Sequence, residues 1–242
     1  MAESFDGASC PGVPTTKEQL AACIDHTVLN PLATKTAIER HCREAVAYGF
    51  HAVCVPPQWT AAAADLLRDQ PVEVVGLAGF PSGEDSPAIK ARQAREAIMA
   101  GADEIDMVTD VSAIMEADVE RLAGDMKAVY RECHRMRPPV LLKVIIESAA
   151  LTDEQILFAC RTAEQVGIDF VKTSTGLRPE GGATAEAVKL MAESAPNCRI
   201  KAAGGIRTAQ QALQMLAAGA SRIGTSASVQ IMENFDNEVG PS

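Results

Sequence analysis

The feature that most constrains the fold is a junction that recurs along the chain, where a predicted helix passes into a predicted strand. In each copy a helical segment ends near a glycine, and a short apolar run follows almost at once. The copies lie at Gly49, Gly101, Gly167 and Gly219. Glycine readily adopts the left-handed conformation that ends many helices, so the chain can turn directly into a strand. Such junctions are typical of α/β proteins.

Apolar runs predict eight strands, near residues 22–27, 52–55, 73–77, 104–108, 140–146, 170–173, 199–202 and 222–225. Seven helices are predicted between them, near residues 34–48, 57–68, 86–100, 116–133, 152–166, 184–194 and 208–218, and a short eighth helix follows Thr225. Strict alternation of strand and helix implies a parallel sheet, and eight such units close into a (β/α)8 TIM barrel. An open doubly wound sheet needs a glycine-rich turn after its first strand, and none follows Thr27.

The length of 242 residues and the hydrophobic content of 47% suit one large barrel domain, which we place at residues 16–235. Residues 1–15 are predicted to form a short flexible N-terminal extension, and residues 236–242 a flexible tail. The first ten residues hold no basic residue and no apolar run, so no signal peptide is expected. No stretch approaches the length of a membrane span.

Charge and cysteine content limit the partners and the compartment. The formal net charge of −10 argues against nucleic acid or an anionic membrane as the main partner, although a small anionic substrate could still find a basic pocket. The seven cysteines are scattered and form no C-x-x-C pair, which predicts reduced thiols and a cytoplasmic protein. The four histidines are dispersed without ligand spacing, so neither a metal nor a cofactor is predicted.

Three predicted strands each hold one lysine in an apolar setting, and these lysines are Lys143, Lys172 and Lys201. Lysine is rarely buried without a partner, and an ammonium group in a low-dielectric site tends to lose its proton. A neutral amine is a nucleophile toward carbonyl groups. Lysines repeated inside strands therefore indicate amine chemistry on an aldehyde or ketone.

The context of Lys172 makes it the best candidate nucleophile. It precedes a loop of small residues that ends at Gly176, where a ligand can approach closely. Like charges repel, and deprotonation of one amine relieves the repulsion, so Lys201 is expected to keep Lys172 neutral while Asp106 offsets the remaining charge. In a TIM barrel these side chains meet at the carboxyl ends of the strands.

Two glycine turns predict a phosphate site. Gly204 and Gly205 follow the seventh strand, and Gly224 and Ser226 stand at the start of the last helix. TIM barrels commonly hold phosphate at these two places, where backbone N–H groups and a helix N-terminus face the anion.

Several motifs, taken in order, resemble the deoxyribose-phosphate aldolase family of metal-free class I aldolases. The resemblance extends from about residue 20 to residue 230, and its most specific parts are the last two of the segments that follow. The motifs are Ile24-Asp25-His26-Thr27, Val53-Cys54-Val55, Gly79-Phe80-Pro81, Glu104-Ile-Asp106-Met-Val108, Leu142-Lys143-Val-Ile-Ile-Glu147, Phe170-Val-Lys172-Thr-Ser-Thr-Gly176 and Lys201-Ala-Ala-Gly-Gly-Ile-Arg-Thr208.

The resemblance implies reversible cleavage of 2-deoxy-D-ribose 5-phosphate to acetaldehyde and D-glyceraldehyde 3-phosphate, without a cofactor. It implies that Lys172 forms a Schiff base, that Lys201 perturbs its protonation and that Asp106 takes part in proton transfer. We expect substrate contacts at Asp25, Thr27, Cys54, Lys143 and Thr175. The implied phosphate contacts are Gly176, Gly204, Gly205, Gly224 and Ser226. A homo-oligomer, with a dimer as the simplest form, is also expected.

Four features depart from the family pattern. Asp110 places an extra carboxylate near the predicted barrel mouth, and Val28 and Asn30 replace the usual leucine and lysine after the first strand. Ala227 removes a hydroxyl from the last phosphate turn, and the C-terminal tyrosine of some members is missing. Two alternatives therefore stay open: another Schiff-base aldolase of phosphosugars, and a catalytically silent protein that binds sugar phosphates.

Overall fold

A computed structural model describes residues 12–239, with the side chains of residues 238 and 239 excepted. Most of the predicted N-terminal extension, at residues 1–11, and the end of the predicted tail, at residues 240–242, lie outside this range. The expectation about a missing C-terminal tyrosine also concerns the end of the chain outside the described residues. Among the described residues every helix is too short or too polar to cross a lipid bilayer.

Eight parallel strands close into a barrel in which each strand pairs with its neighbours in chain order. The (β/α)8 fold expected from the sequence is thus confirmed. The strands are β1 (Ile24–Thr27), β2 (Ala52–Cys54), β3 (Glu73–Ala78), β4 (Glu104–Val108), β5 (Leu141–Ile145), β6 (Phe170–Lys172), β7 (Arg199–Ala203) and β8 (Arg222–Thr225).

Helices surround the barrel and connect its strands. They are α1 (Lys17–Ala21), α2 (Lys35–Tyr48), α3 (Thr60–Leu67), α4 (Pro87–Met99), α5 (Val111–Met115), α6 (Val119–His134), α7 (Asp153–Val166), α8 (Ala185–Ser194), α9 (Ala209–Ala217) and α10 (Ser228–Val239). Short 3-10 turns occur at Pro57–Trp59 and Ser148–Ala150.

Local sequence explains where these helices begin and end. Thr152 and Thr208 each accept a hydrogen bond from the backbone three residues ahead and form a capping box, which satisfies free N–H groups of the first turn. Gly49 and Gly167 end α2 and α7 in the left-handed conformation, with φ of 68° and 88°. The recurring glycine junction therefore ends a helix just before a strand, as predicted.

Three helices differ from the sequence prediction. The five-residue helices α1 and α5 were not expected, because an element of one turn or slightly more shows no apolar periodicity. The last helix was expected to be short, but α10 has 12 residues and extends to Val239, beyond the bound of residue 235 proposed for the domain. It continues because Ile231, Met232 and Phe235 are buried in the core between helices and barrel.

The inside of the barrel is divided into an apolar and a charged region. An apolar cluster of Ala52, Cys54, Val75 and Leu77 fills the side formed by β2 and β3. Charged side chains from β1 and β4 to β8 occupy the rest, and they are almost completely buried. Burial of charge is costly unless the groups are paired, so the barrel interior must contain an ion-pair network.

Most described cysteines are packing residues. Free, buried thiols occur at Cys42, Cys54, Cys133, Cys160 and Cys198, so the expectation of reduced thiols holds for these five. Burial raises the pKa of Cys133, Cys160 and Cys198 to about 12, which keeps these thiols protonated. Cys23 is disulfide-bonded, which the cysteine pattern did not predict.

Candidate active site

Lys172 is the last residue of β6 and lies where the barrel interior meets its mouth. Its side chain is 3% exposed and lines a cavity of about 650 Å³. The ammonium nitrogen Nζ donates to Asp106 Oδ2 at 2.7 Å. An amine in this place is shielded from bulk water but open to a ligand in the cavity.

Asp106 is shared by three lysines. Lys143 donates to Oδ1 at 2.9 Å, and Lys201 donates at 2.9 Å to Oδ2, the same oxygen that Lys172 contacts. The register of the sheet produces this convergence, because Asp106 is paired with Lys143 across β4 and β5, and Lys172 with Lys201 across β6 and β7. The three strands that carry lysines therefore direct their amines to one carboxylate.

A second set of charges lies deeper in the barrel. Asp25 contacts Lys201 and accepts from Arg222 at 2.9 Å, while Glu104 contacts Lys143 and accepts from Arg222 at 3.1 Å. Sequence reasoning did not assign Glu104 or Arg222 to the site. A signal was available for Glu104, because residues two apart on a strand share a face and Glu104 stands two before Asp106.

These contacts set the charge of the network. Burial would raise the pKa of Asp106, but Lys143, Lys172 and Lys201 outweigh it and hold that pKa well below its usual range. Burial would lower the pKa of Lys201, but Asp106 and Asp25 outweigh it and raise that pKa above its usual value. At neutral pH Asp106 is therefore an anion and Lys201 a fixed cation beside Lys172.

Seven further residues that the sequence singled out lie on the cavity wall. Two are predicted substrate contacts and five are predicted phosphate contacts: Thr27, Thr175, Gly176, Gly204, Gly205, Gly224 and Ser226. Gly204 has φ of 92°, and a Cβ there would lie 2.9 Å from Gly182 Cα. The backbone at Gly204 and the backbone at Gly182 can pack this closely because neither residue has a side chain. Ser226 precedes α10, whose N-terminus favours an anion.

The structure places Asp25, Cys54 and Lys143 below the cavity wall instead of on it. Asp25 and Lys143 are fully engaged with buried partners, and Cys54 packs in the apolar cluster, where burial raises its thiol pKa to about 11. These three residues lie beneath the cavity, and the substrate contacts expected of them stay a prediction. Arg207, which sequence reasoning did not assign, lines the cavity and brings a positive charge to the phosphate turns.

Asp110 has a different role from the one expected. Its carboxylate accepts from Ala113 N–H at 3.2 Å, which caps α5, and pairs with Arg121 at 2.8 Å. Burial would raise the pKa of Asp110, but hydrogen bonds from Arg121 and Ser112 lower it to about 2. The carboxylate caps a helix and pairs with Arg121, and it is not part of the cavity wall.

Histidines that are distant in sequence come together beside the cavity. His26 and His41 stack with their ring centres 3.5 Å apart, and His26 Nε2 lies 3.2 Å from Glu44 Oε2. Their ligand atoms are close enough for a metal ion, as are those of His51, Glu73 and Glu104, although the sequence showed no ligand spacing. Nitrogen lone pairs lie in the ring plane, so two stacked rings inclined by 16° cannot both point at one ion.

The fold and the site define a class of protein, the barrel enzymes in which a lysine amine attacks a carbonyl group. The DeoC/LacD family aldolase profile matches residues 19–231. The chain is 43% identical over 223 residues to deoxyribose-phosphate aldolase of Kocuria rhizophila, covering 92% of this chain and 99% of that protein. It is 45% identical over 225 residues to deoxyribose-phosphate aldolase of Thermococcus kodakarensis, with the same coverage.

Solved structures agree with these relatives. The tetrameric deoxyribose phosphate aldolase of Aeropyrum pernix superposes with a TM-score of 0.83 at 31% identity, over 93% of this chain and 94% of that one. The aldolase QR15 gives a TM-score of 0.83 at 35% identity, over 90% of this chain and 96% of that one. The chain belongs to the DeoC/LacD aldolase family and is a lyase that acts on a carbon–carbon bond.

Proposed function

We propose that this aldolase cleaves 2-deoxy-D-ribose 5-phosphate reversibly to acetaldehyde and D-glyceraldehyde 3-phosphate. The observation that carries the proposal is that Lys172, alone among the lysines of residues 12–239, lines the cavity that also holds the two glycine turns. An amine that could attack the aldehyde and backbone N–H groups that could bind the phosphate therefore face one cavity, which supports the proposal. The named relatives support the same substrate.

The surplus of positive charge around Asp106 supplies the neutral amine. Asp106 faces three ammonium groups, and the buried carboxylates Asp25 and Glu104 hold Lys201 and Lys143 in the charged form. Repulsion among close cations is relieved when one proton leaves, and Lys172 is the one that meets the cavity. Neutral Lys172 then attacks C1 of the open-chain sugar.

Carbon–carbon cleavage follows from the iminium. Loss of water from the first adduct leaves a C=N⁺ group that accepts the electron pair of the C2–C3 bond as it breaks. Carbons C3 to C5 leave as D-glyceraldehyde 3-phosphate, and C1 and C2 stay on Lys172 as the enamine. Asp106 lies below the wall, so it takes the 3-hydroxyl proton through a water molecule, and such acid–base help is worth about 10²–10⁴-fold. The enamine is then protonated, and hydrolysis releases acetaldehyde and Lys172.

The phosphate is proposed to bind at Gly176, Gly204, Gly205, Gly224 and Ser226, with Arg207 as the counter-charge. The hydroxyl that Ala227 lacks is partly balanced within the turn, because Ala227 N–H donates to Thr225 Oγ1 at 3.0 Å and fixes the turn shape. Backbone donors at a helix N-terminus bind phosphate without needing a second hydroxyl.

A trapping experiment tests the nucleophile. The enzyme is incubated with acetaldehyde and borohydride, digested, and mapped by mass spectrometry, and we expect the reduced adduct on the peptide that contains Lys172. Acetaldehyde release from 2-deoxy-D-ribose 5-phosphate, followed with a coupled dehydrogenase, tests the reaction. An adduct on Lys143 or Lys201, or no acetaldehyde release, would reject the proposal.

A second candidate is a Schiff-base aldolase of a longer phosphosugar. It is favoured by the size of the cavity, about 650 Å³, whose lining includes Arg40 and His41 as well as Lys172 and the glycine turns. Comparison of kcat/KM for phosphosugars of increasing chain length distinguishes the two, since the second candidate predicts that the longer substrate is preferred.

We further infer a homo-oligomer and a cytoplasmic location. A relative that shares the fold is described as a tetramer, and a dimer remains the sequence-based expectation for this chain. Light scattering after size-exclusion chromatography gives the oligomeric state directly, and fractionation of cells that express the chain gives the location.

A further inference from the structure

Glu147 combines two unusual features at the end of β5. Among the non-glycine residues that the structure describes, only Ala117 and Glu147 have a left-handed backbone, and Glu147 has φ of 58°. Its side chain is 1% exposed, whereas left-handed residues in ordinary turns are commonly polar and solvated. A strained backbone that carries a buried carboxylate persists only where the surrounding contacts hold it in place, and such residues cluster at functional sites.

The carboxylate of Glu147 holds the loop that follows Lys172. Thr175 N–H donates to Glu147 Oε1 at 3.0 Å, and this bond is buried. Ser148 N–H donates to the carbonyl of Thr173 at 2.9 Å, which ties the end of β5 to the same loop. Leu177 N–H donates to Thr175 Oγ1 at 3.3 Å, so the chain folds back around Gly176.

Arg178 contacts both the Glu147 carboxylate and the loop after β3. Its Nε lies 4.0 Å from Glu147 Oε1, and its Nη2 donates to the carbonyl of Ser82, in the loop after β3, at 3.3 Å. The guanidinium therefore spans part of the barrel mouth and provides positive charge beside the buried carboxylate. Neither Glu147 nor Arg178 lies on the cavity wall, so both act through the loop between them.

We propose that Glu147 is a positioning residue that orients the Thr175–Gly176 turn toward the substrate phosphate, with Arg178 as its counter-charge. The inference rests on the proposed function, because it concerns recognition of the phosphate. A Cβ on Gly176 would lie 3.3 Å from Gly204 Cα, so the two turns are in close contact and a shift of one displaces the other. Glu147 thus affects binding of the phosphorylated end and not the chemistry at Lys172.

The test compares substrates with and without the phosphate. Values of kcat and KM are measured for 2-deoxy-D-ribose 5-phosphate and for 2-deoxy-D-ribose in the wild type and in Glu147→Ala, Glu147→Gln and Arg178→Met. Loss of a buried hydrogen bond to a charged group predicts that Glu147→Ala raises KM for the phosphorylated sugar about tenfold or more. Turnover of the unphosphorylated sugar and the yield of acetaldehyde adduct on Lys172 should stay unchanged.

Three further variants test whether the effect of Glu147→Ala comes from the lost hydrogen-bond acceptor. Glu147→Gln keeps an acceptor oxygen for Thr175 N–H and should restore most of the preference for the phosphorylated sugar. Arg178→Met is expected to raise KM only about twofold to fivefold, since the ion pair is partly exposed. Ser148→Ala is the matched control, because the Ser148 hydroxyl is buried without a hydrogen-bond partner, and it should behave as the wild type.

The outcomes separate the two proposals. Equal losses for both sugars, or an unchanged preference in Glu147→Ala, would overturn the positioning role alone. A wild type that releases no acetaldehyde from either sugar would overturn the proposed function and this inference with it. Thermal unfolding of each variant is measured in parallel, and the Arg178→Met result decides the case if Glu147→Ala does not fold.

Discussion

Lysine side chains are fully buried in two regions of this protein, and the regions differ in how the charge is matched. Between α4 and α6, Lys90 Nζ lies 2.8 Å from Asp125 Oδ2 and forms a one-to-one ion pair away from the cavity. Inside the barrel, Lys143, Lys172 and Lys201 share Asp106. Both regions exclude water, so burial alone does not distinguish a structural lysine from a reactive one.

The barrel network differs from the Lys90–Asp125 pair in two ways. It holds more cations than carboxylates, and one of its lysines is accessible to a ligand. The barrel holds four cations, counting Arg222, against the carboxylates of Asp25, Glu104 and Asp106. One surplus positive charge in a low-dielectric interior favours loss of one proton. Lys172 is the member of this set that reaches the cavity, so its amine lies where a ligand can approach it.

The largest expected effect separates the two regions directly. Lys172→Met should lower kcat/KM for acetaldehyde release by at least about 10⁴-fold, because the covalent nucleophile is lost. Lys90→Met makes the same substitution at the other buried lysine and should leave the kcat/KM of the folded enzyme unchanged. The coupled acetaldehyde assay measures both, and a comparable loss in Lys90→Met would show that the two regions do not differ in function.

The carboxylates of Asp106 and Asp125 should differ in their effect on catalysis, as their lysine partners do. Asp106→Asn removes the anion that three ammonium groups share and the proposed acceptor of the 3-hydroxyl proton, so kcat should fall about 10²–10⁴-fold. Asp125→Asn is the matched control and should keep kcat. Steady-state kinetics on protein whose folding is verified by circular dichroism gives the comparison, and a normal kcat in Asp106→Asn would contradict the proposed role.

The ion pair between Lys90 and Asp125 should contribute to the stability of the fold and not to catalysis. Lys90→Met leaves Asp125 buried without its cation and should lower the free energy of unfolding by about 3 kcal/mol. Replacing both residues, as Lys90→Met with Asp125→Leu, should recover most of this loss, because an apolar pair needs no counter-charge. Urea denaturation measures the values. If the double variant is no more stable than the single one, the pair does not act as a unit.

A third kind of buried base carries no charge at all. Burial lowers the pKa of His26 to about 4 and that of His41 to about 3, so the folded protein keeps both rings neutral at pH 5 while the unfolded chain protonates them. Stability is therefore lost as pH falls below about 6.5, the unfolded value. Between pH 7.5 and pH 5 this loss should be about 2 kcal/mol smaller in His41→Phe than in the wild type. Urea denaturation at both pH values tests this, and equal losses would refute it.

The smallest expected effect sharpens the account of the barrel network. Lys201→Leu removes the cation that shares Asp106 Oδ2 with Lys172, so the repulsion among the cations of the barrel network falls. The acid limb of the pH–rate profile should then move upward. Lys201→Arg keeps the charge and should leave the limb near its original position. A profile that is the same in wild type and Lys201→Leu would mean that Lys201 does not control the amine.

Sequence reasoning was most successful where local patterns decide the outcome. The glycine junctions, the capping threonines and the apolar runs predicted all eight strands of the barrel and their order. The lysine positions predicted the centre of the candidate site, because residues near strand ends must meet at the barrel mouth. Short elements such as α5 were missed because they have no periodicity to detect.

Contacts between distant strands were the part that the sequence could not supply. Arg222 was regarded as the start of a strand, yet its guanidinium bridges Asp25 and Glu104 in the barrel interior. Asp110 was expected at the mouth, yet it caps α5 and pairs with Arg121. In both cases the residue type was visible in the chain, and its partner depended on register and on the direction of a loop.

The amino-acid sequence by itself determined the alternation of helix and strand, the closed barrel that this alternation favours, and the three lysines that mark its chemistry. These features depend on neighbouring residues and on periodicity, which a chain carries in one dimension. Only the tertiary structure decided that the lysines share one carboxylate, that Lys172 alone of them meets the cavity, and that Glu147 holds the adjoining loop. Such matters depend on distances between strands, which the barrel register sets when it closes.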